Sequence, residues 1–275
     1  MKNILFFVFF LFHFGMVSAQ MDTIYTHHEI IPCRVTEVTE NHVKFAYPQE
    51  DFSNTMSKNK IMQIVFRSGR VQKFVNALGY KRLRSPHDWE QVVLTQVENE
   101  LAGLYKIGDV SSKAKGTTEL SNQERVKRRG LNKLKMQAAL LGANVIYMLN
   151  MRTEGNHYDA RTGSSFSSEA SFIGMAYAST VPVYEQFMQL IGDQRVFRIT
   201  EAMEFSYNST KIDVYPVDFS IHIKQIVDDE GRLKIYAQIP QFKEGSFRVT
   251  FLGNDHFYIL YATRNEYYSY RVLAR

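Results

Sequence analysis

Cysteine is almost missing from this chain. Cys33 stands alone among 275 residues, so no internal disulfide can form and stability must come from packed cores. Cys33 follows Ile30-Ile31-Pro32 rather than a small-residue lipobox, which excludes it as a lipid anchor. A buried, inert thiol on a strand is the expectation. Catalytic signatures are missing as well. There is no Gly-x-Ser-x-Gly, no His-Glu-x-x-His, no phosphate loop and no workable Cys/His pairing. No metal site and no cofactor are implied. Long hydrophobic runs are missing beyond residue 16, and the run from Ile4 to Met16 is shorter than the roughly 20 residues a bilayer-spanning helix needs.

What that short run does resemble is a leader. Lys2 supplies the charged start, the apolar run follows, and Val17-Ser18-Ala19 is a small-x-small exit before Gln20. Residues 1–19 are therefore expected to be a signal peptide and the mature chain to begin at Gln20, with no transmembrane segment afterwards. Export to the periplasm or beyond disfavours cytosolic nucleotides and nucleic acid as partners. With 45% apolar residues a packed core is expected rather than disorder. The net charge of +5 is mild and names no partner.

Residues 20–79 alternate at a two-residue period. Cys33-Val35-Glu37 and Val43-Phe45-Tyr47 read as strands turned at Asn41-His42. Ile61–Phe66 and Val71–Val75 follow the polar stretch Gln49–Lys60. A small, curled antiparallel barrel is expected. On Asp22-Thr23-Ile24, Val35-Thr36-Glu37-Val38, Val43-Lys44-Phe45, Ser57-Lys58 and Ile64-Val65-Phe66 before Gly69-Arg70, the segment resembles a short Sm- or SH3-like β module of exported bacterial proteins.

Residues 87–180 read as strand, helix, strand, loop, strand. Val92–Val97 is the first strand. Ser121-Asn122-Gln123-Glu124 fits a capping box before a helix whose Leu131, Leu134, Ala138 and Leu141 recur at three- and four-residue spacing, with Gly142 at the C-cap. Val145–Leu149 returns, a Gly/Ser-rich loop spans Glu154–Glu169, and Ala170–Ala178 closes the segment. Leu104–Val110, then Met136-Gln137-Ala138-Ala139-Leu140-Leu141-Gly142-Ala143-Asn144-Val145-Ile146, then Ile173-Gly174-Met175-Ala176-Tyr177 resemble the YbjQ-type family and the related outer-membrane stress-sensor lipoprotein RcsF. The resemblance implies a small α+β fold and, in the YbjQ branch, homo-oligomeric rings. The sensor's lipid-anchoring and disulfide cysteines are missing here, so neither anchoring nor sensing is implied.

Residues 181–275 read as an antiparallel meander. Phe219-Ile221-Ile223, Leu233-Ile235-Ala237-Ile239, Phe247-Val249-Phe251 and Phe257-Ile259-Tyr261 alternate with polar partners. Tyr184–Ile191 is a short helix candidate. Closure into a barrel is left open. The whole is expected to be α+β: a β-barrel-like module, a central β-α-β-β module and a C-terminal meander.

Candidate sites are few. His27-His28 point to opposite faces of any strand. Glu154, His157 and Asp159 have metal-donor chemistry without a metal motif's spacing. Asp228-Asp229-Glu230 fit a hairpin tip better than a glycosidase pair. The one surface with a pattern is on the central helix. Arg125, Arg128, Arg129, Lys133 and Lys135 fall on a broad face opposite the apolar stripe, with Lys127 nearer that stripe. Such a face is either ordinary solvated flank or a contact for an acidic envelope component or a protein partner. Binding or scaffolding is the favoured role, and the alternative is an envelope enzyme whose site is assembled between modules.

Overall fold

The computed structural model describes residues 21–26, 29–74, 80–117, 121–159, 161, 164–229, 232–240 and 242–274. The proposed leader, His27-His28 and Glu230 lie outside them. Strands make up 55% of the structure and helices 16%. The balanced α+β expectation therefore gives way to a β-rich fold. Strands occupy part of the segment expected to be loop as well, and only one long stretch has the 3.6-residue period.

The chain divides into two compact units, Met1–Met56 with Ile61–Phe74, and Ser57–Lys60 with Val75–Arg275. The first is built on a six-stranded antiparallel sheet. Its strands are β1 (Asp22–Thr26), β2 (Ile30–Val38), β3 (His42–Ala46), β4 (Asn54–Ser57), β5 (Ile61–Val65) and β6 (Val71–Lys73), in the order β4-β3-β2-β1-β5-β6. β4 and β6 are its edges, so the sheet is open where a closed barrel was expected. Ile24, Ile31, Cys33, Val43, Phe45, Ile61 and Ile64 form its core. Asp22 fastens the sheet at one end, its carboxylate accepting from the Val35 and Arg67 amides at 2.8 Å each.

The second unit begins with a four-stranded sheet of order β7-β9-β12-β8. It comprises β7 (Val93–Thr95), β8 (Tyr105–Lys115), β9 (Val145–Glu154) and, after the hairpin β10 (His157–Asp159) and β11 (Ser164–Phe166), β12 (Glu169–Ala178). Where a loop was expected over 154–169, β10 and β11 pair as a two-stranded ribbon. Helix α1 (Gln123–Leu140) crosses from β8 to β9 and lays Val126, Leu134 and Ala138 against Val110, Ile146, Phe172 and Ala176. Its N-cap is Asn122, whose Oδ1 accepts from the Arg125 amide at 3.0 Å, and not Ser121 as the capping-box pattern predicted. The Ser121 carbonyl is instead held by Asn156 and Ser168. Gly130 lies within α1, where glycine costs about 1 kcal/mol relative to alanine. A Cβ there would fall 2.6 Å from the Phe172 ring, so close approach of helix to sheet requires it.

Helix α2 (Tyr184–Ile191) leads into a closed antiparallel barrel. Its six strands are β13 (Val196–Ser206), β14 (Asp213–Asp229), β15 (Arg232–Ile239), β16 (Phe242–Leu252), β17 (His256–Ala262) and β18 (Glu266–Leu273). β13 pairs with both β14 and β18, which closes the ring. A barrel this small is filled by its own side chains. Phe197, Ile221, Ile235, Phe247, Phe257 and Val272 point inward, and Phe187 and Ile191 of α2 join the same core.

Sheet and barrel share apolar surface. Met203, Phe251 and Tyr258 on the barrel's outer side join the α1–sheet core, while Met136 and Leu140 of α1 pack with Phe205 and Leu260. Gly142 (φ 81°) turns the chain out of α1, where a Cβ would meet the Thr250 carbonyl at 2.9 Å. Arg248 of the barrel donates to the Leu141 carbonyl at the helix end. Burial, then nearby Arg232, push its guanidinium down to about 10, so it remains a cation at neutral pH and suits the negative end of the helix dipole. Among the described residues no helix is long and apolar enough to cross a membrane.

Two outcomes follow from these cores. Leu134→Ala and Met136→Ala should each cost about 2–5 kcal/mol, because both sides of α1 are buried. Denaturant unfolding showing Met136→Ala to be neutral would place that side in solvent. Cys33 is fully buried, and desolvation followed by the charge of Asp22 pushes its thiol up to about 11. Cys33→Ser should cost about 1–2 kcal/mol, and rapid labelling of the native protein by a thiol reagent would contradict the burial.

Candidate functional site

Burial on two sides sorts the cations of α1 into distinct environments. Arg125 and Arg128, in its first turns, are exposed. Arg129 is half-buried; its Nη2 donates to the Lys115 carbonyl at 2.9 Å, while its Nε is shut from solvent without a partner. Lys133 is only 4% exposed, donates to the Lys113 carbonyl at 3.0 Å and sits 5.4 Å above the Tyr207 ring. Lys135 turns the other way, to the Glu90 carbonyl at 3.2 Å. The five residues therefore do not form one solvated face. Lys133 and Lys135 serve as packing and backbone-bonding groups, and Arg125 with Arg128 forms the projecting remainder.

No carboxylate pairs with Arg125, Arg128, Arg129 or Lys133 among the described residues. Burial, then the charge of Arg129, hold the Lys133 ammonium below the ordinary lysine range. Desolvated cations bonded to carbonyls rather than carboxylates leave a positive field that no ion pair among the described residues neutralises.

The β10–β11 ribbon stands beside this helix start. Asn156 at its base donates to the Ser121 carbonyl and accepts from the Ser168 amide and hydroxyl at 2.7 Å. A methyl at Gly155 would lie 3.4 Å from Gln123 Oε1. The ribbon exposes Tyr158 (65%) and Phe166 (42%), with His157 stacked on Phe166 at 4.7 Å. Glu154 is bound to Arg152, and no group of three metal donors converges among the described residues. The sequence pattern missed the ribbon. Two large aromatics in a Gly/Ser-rich stretch were its available signal.

At the junction of sheet and barrel lie two crevices of about 20 Å³ each, lined by residues such as Leu141, Gly142, Arg248, Asn144 and Thr250. Their linings contain no carboxylate or imidazole. One His–carboxylate contact does cross this junction, His87 Nε2 to Glu201 Oε1 at 3.1 Å. It lies at the surface, His87 is half in solvent, and neither residue lines those crevices. The pair tethers the short 3-10 helix Pro86–Gln91 to the barrel. Asp228 and Asp229 stand at the end of the β14–β15 hairpin, where Lys234 holds the Asp229 carboxyl below the usual carboxylate range.

No family model, no curated protein and no solved structure matches the chain.

A base whose folded-state pKa is lowered penalises the folded state while it is protonated. That penalty fades as pH rises toward its unfolded value of roughly 10.4. Lys133→Met should therefore be at least as stable as the parent at pH 7, with the difference shrinking in alkaline solution. A loss above about 1 kcal/mol at pH 7 would mean that the bonds to Lys113 and Tyr207 outweigh desolvation.

Proposed function

We propose that this is an exported, non-enzymatic envelope protein that binds or scaffolds, with the basic end of α1 as its contact for an acidic component. One observation carries the reading. The lower part of the helix is consumed by two apolar cores, yet its first turns project Arg125 and Arg128 without a counterion among the described residues, beside Arg129 and Lys133, which bond carbonyls. Cations early in a helix oppose its macrodipole, so folding gives no reason for them there. An anion brought to this end would relieve both effects. The aromatic ribbon alongside adds flat apolar surface with polar edges, suited to a partner that is both charged and partly apolar.

The export half of the reading rests on the leader pattern of residues 1–19. Intact mass or N-terminal sequencing of exported protein should give Gln20 as the first residue. A chain still starting at Met1 in the membrane fraction would refute the cleavage.

The binding half is tested by charge reversal. Arg125→Glu with Arg128→Glu should not destabilise the fold by more than about 0.5 kcal/mol, since both are exposed and carboxylates suit a helix start. The same variant should lose association with anionic vesicles or acidic polysaccharide, and the parent's association should weaken as salt rises. Equal binding by parent and variant would reduce these residues to a solvated flank.

A further inference from the structure

A separate feature lies in the first unit. A cleft of about 360 Å³ opens at one end of the six-stranded sheet, between Arg34, the segment Tyr47–Asp51, and Arg67. That is the lower range of small-molecule pockets. Its floor is fixed, because Asp22 is 6% exposed and fully engaged by the Val35 and Arg67 amides, with buried Cys33 beside it.

One wall is a tight turn closed by the Glu50 amide donating to the Tyr47 carbonyl at 3.2 Å. Pro48 and Gln49 occupy its central positions, and Gln49 has φ 68°, the one non-glycine with positive φ among the described residues. A turn with proline first and positive φ second calls for glycine or asparagine at that second position. Glutamine there is strained, and strain of this kind gathers at ligand clamps. The turn sets Glu50 in the cleft lining, with Oε2 shut from solvent and without a hydrogen-bond partner among the described residues. Opposite charge is present but not used. The guanidinium groups of Arg34 and Arg67 make no ion pair among the described residues, although both line the same cleft.

We infer that this cleft binds a small zwitterion of about dipeptide size. Its carboxylate or phosphate would lie against Arg34 and Arg67, and its ammonium would donate to Glu50. Glu50 brings to the cleft lining a carboxylate oxygen without a donor among the described residues, and a ligand ammonium is the group that pairs with a carboxylate there. Arg34 and Arg67, exposed residues of the cleft lining, carry the forked donors that carboxylate and phosphate accept. Tyr47, steadied edge-on by Phe45 at 5.4 Å, leaves an exposed ring over the remaining apolar atoms. This site is independent of the basic end of α1, and either can fail without the other.

The test uses the chain from Gln20 onward, titrated by calorimetry and followed by the amide shifts of Tyr47, Gln49, Glu50 and Asp51. The probes are alanyl-alanine and phosphoethanolamine, which separate a carboxylate source from a phosphate source. Acetyl-alanyl-alanine and alanyl-alanine amide each lack one charge. At least one zwitterion should bind saturably at or below millimolar concentration and shift Glu50. The probes lacking one charge should bind about tenfold more weakly, as expected for a lost charge-assisted bond. Glu50→Gln should weaken the zwitterion by a similar factor while leaving acetyl-alanyl-alanine unchanged, and Arg34→Ala or Arg67→Ala should weaken both. These side chains lie outside the core, so circular dichroism should show each variant folded. Absence of saturation with both zwitterions, or indifference to Glu50→Gln, would overturn the inference.

Discussion

The double burial of α1 is the constraint on which the second unit depends. One side of the helix rests on the four-stranded sheet through Leu134 and Ala138, and the other meets the barrel through Met136 and Leu140. Everything at the join follows from bringing a barrel wall up to a helix end. Gly142 has no room for a side chain against Thr250, Arg248 caps the Leu141 carbonyl, and β17 is buried on both faces from Phe257 to Leu260. Sheet and barrel therefore share apolar surface that neither could leave exposed alone.

The same constraint decides what the cations do. A helix buried on two sides has little solvent face left, so lysines from its middle must reach past the packing to find acceptors. Lys133 finds the Lys113 carbonyl and the Tyr207 ring, and Lys135 finds the Glu90 carbonyl. Carbonyls satisfy hydrogen bonding without cancelling charge, so the local field persists to the surface where Arg125 and Arg128 stand. Positive charge at this end is therefore a by-product of packing as well as a resource for recognition. In the first unit, by contrast, Arg34, Glu50 and Arg67 line one cleft whose floor is fastened by Asp22 and whose wall is the strained turn at Gln49.

Much of this was legible in the residues. The stripe Leu131, Leu134, Ala138, Leu141 defined α1 to within a residue or two, and the alternation Leu233-Ile235-Ala237-Ile239 defined β15. Other elements carried weaker signals. Val196–Ser206 and Glu266–Leu273, the strands that close the barrel, mix aromatics with charges and shift register at a bulge beside Ile199, which blurs their period. The unbroken run Phe257-Tyr258-Ile259-Leu260-Tyr261 was the available sign of burial on both faces, and alternate reading of it concealed the barrel's second contact.

The sequence by itself determined the period of the strongly alternating segments, the buried state of Cys33, the position of α1 and the lack of any local catalytic motif. Those are properties of neighbours along the chain, where propensity and spacing act directly. Only the tertiary structure decided that the first sheet stays open while the last one closes, that β10 and β11 form a ribbon, and that Lys133 is a core residue. It alone brought Arg34, Glu50 and Arg67 to one cleft. Each of these depends on pairing or packing between residues far apart in sequence, and the two-residue and 3.6-residue periods carry no record of which distant surface will cover a given face.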